Sequence, residues 1–464
     1  MKQRQCTILE QAGPNLGEMG SWLQSLLHLH QRLSPRFARP EVHLHALLYL
    51  QAVLSDIPRK NGWHIAEHAR QARPYGMQRL LSQAVWNEDG VRDDLRALVC
   101  QTLLLHPLTQ TGIPLFPVLV IDESGFPKRG HHSAGVAPQY CGRTGRVENC
   151  QVGVFLSYVT ARGHALIDRE LYLPEEWCAD LLRRRAAHIP DQVPFATKPE
   201  LAKRMVQRAQ AAGLSICWVV ADTVYGHSPD LRLFLEEQGY AYAMAVPSIE
   251  VMCVQTPTGC LLSDVASIAK QALRARDWLR LSASQGTKGE RLFDWACLPI
   301  VQAGTPDGRH WLVFRRCLDN PNEVAYFLVW ALSNTSLPTM VQAIGCRWHI
   351  EEDLQACKAL GLDQYEVRSY LGWYRHITLV ILAYAFLVNI CLKQLAPPGS
   401  QEEPPPSLPL LPLTPSEVHH LLARLFFPAP TSAPLISAWS LFRRTHQYWA
   451  GYYHRRRRQK ARSA

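Results

Sequence analysis

Two aspartates and a glutamate stand out in this chain for their surroundings. Asp122 closes the apolar run L-F-P-V-L-V-I, and Asp222 closes I-C-W-V-V-A. Each run reads as a buried β-strand that hands over to a loop at an acid. Glu351 lies four residues after Arg347 and seven before Lys358. At roughly 100° per residue of helix, those three side chains fall within about 40° of one another. Carboxylates are hard oxygen ligands for Mg²⁺, which keeps several waters and shares its ligation with substrate phosphate. Two such ions about 3.5–4 Å apart can activate an attacking oxygen and stabilise a leaving one in phosphodiester cleavage. Arg347 can grip phosphate with two prongs, and Lys358 can act as a point charge.

Each feature also has a plainer use. An aspartate after a strand often forms a turn or caps a helix, and an Arg–Glu–Lys stripe is commonly a solvated helix face. Near Asp222 the cap role falls to Ser228, ahead of Pro229, which leaves the Asp222 carboxylate without a structural task. Glu352 competes with Glu351, but only Glu351 keeps both cation spacings.

The elements that position these residues follow from pattern. Residues 1–106 read as helical: Leu44, Leu47, Leu48, Leu50 and Val53 share a face, and a second run covers Met77 to Leu105. Arg59, Lys60, Arg70 and Arg73 lie between them. Residues 107–395 read as α/β, with strands ending at Asp122 and Asp222 and further strands over Gln151–Thr160, His164–Leu173 and Tyr240–Val246. Helices cover Lys198–Ala212 and Ser228–Gln238. Residues 248–333 turn irregular and strand-rich, with strands at Arg291–Ile300, Arg309–Leu318 and Val324–Leu332. One helix is predicted from Thr339 to Leu360 and another from about Trp373 to Leu395. Residues 396–464 supply a proline-rich linker to Pro415, a short helix (Ser416–Phe427) and a basic tail.

Composition narrows the class. Hydrophobic residues are 47% and charged residues 19%, a globular balance. The net charge is +10, and Arg455, Arg456, Arg457, Arg458, Lys460 and Arg462 put six positive charges in the tail. That excess favours a polyanionic partner. Thirteen cysteines occur without a C-x-x-C pair, which argues for reduced thiols rather than a disulfide framework or zinc ribbon. Ile377–Leu392 is apolar but shorter than the roughly 20 residues that span a bilayer, so it reads as a core helix of a soluble protein. No apolar signal segment opens the chain. His131-His132 reads as an exposed loop pair, with no second ligand pair in view.

At this point the residues resemble a known family, the DDE transposases of bacterial insertion sequences, in the branch with a Y-R-E-K signature and its insertion sequence 701-like subgroup. V-L-V-I-D-E-S-G-F-P-K-R-G (Val118–Gly130) resembles the first-aspartate block, and Q-Y-C-G-R-T-G-R-V-E-N-C-Q the strand entry after it. V-V-A-D-T-V-Y-G (Val219–Gly226) resembles the second-aspartate block. R-W-H-I-E-E-D-L-Q-A-C-K (Arg347–Lys358) matches R-x3-E-x6-K, and G-L-D-Q-Y-E-V-R follows it. The tyrosine of the signature would fall at Ile344, which has no hydroxyl.

The resemblance extends over about residues 40–395. It implies a ribonuclease H-like core, a mixed sheet flanked by helices, with the β-rich insertion at 248–333 and a helical N-terminal domain that recognises DNA ends. Asp122, Asp222 and Glu351 would be the catalytic residues and the ligands of two Mg²⁺ ions, with Mn²⁺ able to substitute. Arg347 and Lys358 would contact DNA, joined by Arg455, Arg456, Arg457 and Arg458 of the tail, where Trp449, Tyr452 and Tyr453 precede the arginines. In relatives the insertion can hold a flipped base on a tryptophan. Trp278, Trp295 and Trp311 are candidates here, with a core role the stronger reading for each.

The implied activity is cleavage at the element's ends and transfer of the 3′-hydroxyl to target DNA. The partners would be terminal inverted repeats and target DNA, bound by a homodimer in the cytoplasm and nucleoid, with no membrane. A catalytically silent DNA-binding derivative and a ribonuclease H-like nuclease without strand transfer stay open as alternatives.

Overall fold

Short apolar runs broken by polar turns build a mixed sheet in the computed structural model of the chain. It describes residues 16–104, 116–142, 144–286, 289–302, 305–394, 412–429 and 432–462. The strands are β1 (Val118–Pro127), β2 (Ala137–Cys141), β3 (Arg146–Thr160), β4 (Gly163–Tyr172), β5 (Trp218–Ala221) and β6 (Ala241–Val246), then β7 (Val251–Thr256), β8 (Gly259–Asp264), β9 (Leu279–Gly286), β10 (Gly289–Gln302), β11 (Thr305–Arg316) and β12 (Val324–Trp330). Along the sheet they run β2-β3-β1-β5-β6-β12-β11-β10-β7-β8, with β4 on β3 and β9 on β10. β1 pairs antiparallel with β3 and parallel with β5, and β5 pairs parallel with β6. Val118 to Ile121 and Trp218 to Ala221 are buried throughout, as strands covered on both faces require.

The strand-rich segment after Val246 is continuous with this sheet, because β12 pairs antiparallel with β6 from Tyr326↔Val246 to Trp330↔Tyr242. Three of its strands were legible in the sequence; β7, β8 and β9 were not. Most side chains of β7 and β8 are half-buried or exposed, so no alternating apolar pattern marks them.

Helices cover the sheet. The N-terminal ones are α1 (Leu16–Arg32), α2 (Pro40–Val53), α3 (Gly62–His68), α4 (Tyr75–Ser82) and α5 (Glu88–Leu104). Between β4 and β5 lie α6 (Glu175–Ala179), α7 (Leu181–Ala186) and α8 (Lys198–Ala211). α8 opens on a Thr197/Glu200 capping box. α9 (Thr223–Gly226) and α10 (Pro229–Glu237) make the crossover that parallel β5 and β6 need, and α11 (Val265–Ala272) follows β8. The chain closes with α12 (Leu337–Gly345), α13 (Arg347–Ala359), α14 (Tyr370–Lys393), α15 (Pro415–Leu425) and α16 (Ala433–Arg462).

α14 is the only described helix long and apolar enough to cross a membrane, with a mean hydropathy of 1.9, yet it is 94% buried within the protein. It packs on β4, α2, α4, α5 and α15, so its apolar surface serves the core. Buried Asp168 of β4 ties the N-terminal helices to the sheet. It accepts from Arg96 of α5 at 2.8 Å and Arg208 of α8 at 2.9 Å. Burial works against its charge, but Arg208, Arg92 and Arg96 hold its carboxyl below the usual range. All twelve cysteines among the described residues are free.

Two elements differ from expectation. The helix read as Thr339–Leu360 is two helices, α12 and α13, that meet at Cys346. No proline or capping residue marks that break. Gly345 instead lies so close to the backbone carbonyl of Ala283 in β9 that a Cβ there would collide, so the turn is set by a tertiary contact. The basic tail is the C-terminal part of a helix of 30 residues, α16. Most of the proline-rich linker, residues 395–411, lies outside the described residues.

Candidate active site

Asp122 and Asp222 stand at matching places on neighbouring strands. The parallel register of β1 and β5 ends at Ile121↔Ala221, one residue before each aspartate. Beyond that point the chains part. β1 continues past Asp122 to Pro127 against β3, pairing Asp122↔Phe155 through Pro127↔Cys150. The loop expected straight after Asp122 is therefore strand: the segment is held by β3, a partner that local sequence does not announce. After Ala221 the chain turns, and Asp222 Oδ1 accepts the Val224 amide at 3.0 Å as N-cap of α9. Asp222 thus has the structural task that the sequence assigned away from it, while Ser228 caps α10.

Glu351 is linked to Asp122 through Arg347. On α13 the Arg347 Nη2 donates to Glu351 Oε1 at 2.6 Å, and Nη1 lies 3.6 Å from Asp122 Oδ2. Glu352 faces elsewhere, toward Trp348, His349 and His164. Lys358 is half-buried further along α13. Ile344 belongs to α12 and is buried in the core, so it offers nothing to a phosphate.

Burial pushes the Asp122 carboxyl up to about 7; Arg347 pulls it back and Asp222 pushes it further. Burial also raises Asp222, and the neighbouring Glu123 adds to that. Glu123 was missed from the sequence, as were its two partners. Lys198 of α8 lies 2.5 Å from Glu123 Oε1, and the Tyr225 hydroxyl donates to Oε2 at 2.9 Å. The three come from β1, α8 and α9, and no spacing signal links them. With Glu123 neutralised by Lys198, Asp122, Asp222 and Glu351 share Arg347 as their cation, and a surplus of hard negative oxygen remains. That donor set fits a divalent metal ion.

Trp295 is fully buried against Phe293 and Phe327. Trp278 is half-buried beneath the Arg316 guanidinium, 4.2 Å from its ring centre, and Trp311 is half-buried. Trp348, passed over in the sequence, is exposed beside Arg347 on α13, with Arg291 of β10 over its ring at 4.1 Å. His131 and His132 are exposed. α16 is anchored on α3 and the chain just after it: Arg443 pairs with Glu67 of α3 at 2.5 Å, and Trp439 Nε1 donates to the Gln71 carbonyl at 3.0 Å. Past that anchor Tyr448, Trp449, Tyr452 and Tyr453 are exposed, as are Arg455, Arg456 and Arg457. Arg458 continues the same helix.

Residues 32–259, which hold both aspartates and end ahead of α13, match the family described as DDE superfamily endonuclease. A protein named as a probable transposase for insertion sequence element IS701, from Microchaete diplosiphon, is 26% identical over 279 residues. The match covers 59% of this chain and 67% of that relative. The mixed α/β fold and these matches support a DDE superfamily endonuclease. Within that class they support a transposase of the IS701-like type. Its macromolecular partner is DNA, and divalent-metal dependence comes with the class.

Proposed function

We propose that Asp122, Asp222 and Glu351 are the catalytic carboxylates and that together they hold two Mg²⁺ ions, for which Mn²⁺ can substitute. The observation that carries this reading is Arg347, which lies 2.6 Å from Glu351 and 3.6 Å from Asp122 while Asp222 stands next in the sheet. When bound, such ions lower the pKa of an attacking water or hydroxyl and stabilise the departing oxygen. Asp122 and Asp222 are held rigidly by β1 and β5, and Glu351 is carried on a separate helix. The cradle is therefore built from parts whose relative position the core sets. Arg347 and Lys358 orient the scissile phosphate. The order β4-β3-β1-β5-β6, antiparallel on one side of β1 and parallel on the other, supports a ribonuclease H-like core.

The enzyme cleaves at the ends of its own insertion sequence and joins the freed 3′-hydroxyl to target DNA. The helices before β1 form an N-terminal domain that recognises the terminal inverted repeats. Arg455, Arg456, Arg457 and Arg458 add phosphate contacts whose strength falls with salt. Two copies bring two ends together, and the protein works in the cytoplasm, at the nucleoid. The test is incubation of the full chain and Mg²⁺ with DNA carrying the gene's flanking sequences and a second, target duplex. Joined products with a short target duplication are expected. Cleavage without joining would favour a nuclease, and binding without cleavage a silent derivative.

A further inference from the structure

On the face of α13 turned away from Glu351, three metal-type donors converge on one point. His349 Nδ1 donates to Glu352 Oε2 at 2.9 Å, and His164 Nε2 lies 3.4 Å from the same oxygen. The ligand atoms of His164, His349 and Glu352 all fall within 4.8 Å of one another. The two imidazoles are stacked, with ring centres 4.3 Å apart. Glu352 is partly exposed, and Trp348 Nε1 donates to its Oε1 at 3.2 Å.

Behind this group sits a second layer. His164 Nδ1 donates to Asp353 Oδ1 at 2.6 Å, which leaves Nε2 as the nitrogen free to bind a metal. Asp353 is fully buried and is itself held by the Ser157 hydroxyl at 2.5 Å and the Tyr384 hydroxyl at 2.8 Å. A carboxylate that fixes the tautomer and angle of a histidine is the usual support for a metal-bound imidazole. Two imidazoles and one carboxylate suit zinc-like ions rather than Mg²⁺. Ligands at about 2.0–2.1 Å from a tetrahedral ion stand a little over 3 Å apart, close to two of the separations here.

We propose that His164, His349 and Glu352 form a second metal site, distinct from the carboxylate cradle, for one divalent transition ion of the zinc type. His164 comes from the start of β4 and the other two ligands from α13, so the ion staples the helix that carries Glu351 to the sheet. Solvent fills the remaining position.

The test uses the full chain and two probes, Zn²⁺ by calorimetry and Co²⁺ by its visible absorption. One equivalent of Zn²⁺ is expected to bind, and to bind equally to a D122N/D222N/E351Q variant, which lacks the proposed Mg²⁺ ligands. H164Q or H349Q should lose affinity by at least about 100-fold, and D353N by about 10–100-fold. Should a histidine variant fail to fold, the Co²⁺ spectrum of the D122N/D222N/E351Q variant decides. A four-coordinate spectrum with nitrogen ligands supports the site. Absence of Co²⁺ binding, or binding abolished by D122N/D222N/E351Q, overturns it.

Discussion

Asp353 anchors α13 from behind, two residues from Glu351, and replacing it separates the value of its charge from that of its hydrogen bonds. The buried carboxylate accepts from Ser157, His164 and Tyr384. In D353A, Ser157 can still donate to the Ala165 carbonyl at 3.2 Å, but the buried Tyr384 hydroxyl and the His164 N–H lose their acceptor. Each stranded donor costs about 1–3 kcal/mol, so with the vacated space the variant should lose about 3–5 kcal/mol of stability. D353N keeps an oxygen for Tyr384 and His164. Its amide can donate to Ser157 once that hydroxyl turns to Ala165, so the loss should be about 1–2 kcal/mol. Urea unfolding of the full chain, followed by tryptophan fluorescence, measures both. An Asp353→Ala variant within about 1 kcal/mol of wild type, or D353N as damaging as D353A, would refute the reasoning. Because α13 carries Glu351, D353A should also lower DNA cleavage more than DNA binding.

Further outcomes follow from other residues. Arg347→Lys keeps the charge but loses the two-pronged reach to Glu351 and Asp122. Losing one charge-assisted hydrogen bond, about 1.5–3 kcal/mol, should slow single-turnover cleavage about 10- to 150-fold; a rate near wild type would remove Arg347 from the site. His376 accepts from the Tyr49 hydroxyl at 2.7 Å and donates to the Gly361 carbonyl at 3.0 Å, and burial holds it down to about 3. Its folded pKa is below the unfolded one, so its contribution is complete above about 6.5 and is lost as pH falls toward 3. Between pH 7.5 and 5.5 the wild type should lose about 1.4 kcal/mol more than H376Q, read from urea melts at each pH; parallel curves would contradict this. Replacing Arg455, Arg456 and Arg457 by alanine should reduce the slope of log affinity against log salt by about 3 in DNA-binding titrations, if each neutralises one phosphate. An unchanged slope would exclude those side chains from the DNA interface.

Much of the candidate site could be read before the fold. V-L-V-I and W-V-V-A are short apolar runs bounded by polar turns, the pattern of strands covered on both faces, and both are buried along their length. Arg347 and Glu351 do pair, since four residues is nearly one helical turn. Ile377–Leu392 is buried because the core surrounds it on all sides. The parts that could not be read depend on distant partners. β1 runs past Asp122 because β3 pairs with it, and the helix breaks at Cys346 because Gly345 meets β9. Glu123, Lys198 and Tyr225 gather from three elements, as do His164 and Asp353 from two. Pro428, Pro430 and Pro434 obscure the start of α16, whose first half is secured by Trp63 and Glu67 of α3.

The central claim is that Asp122, Asp222 and Glu351 act as one metal-holding unit. The most direct measurement compares Mg²⁺-dependent cleavage of end-bearing DNA by wild type, D122N, D222N and E351Q, with DNA binding measured in parallel. Each single variant should lose cleavage by at least about 10³-fold, near the background set by binding alone, while affinity for DNA is retained. Cleavage retained by any one of them would remove that residue from the unit. Retention by E351Q in particular would leave Arg347 as a structural bridge and require another carboxylate beside the two aspartates.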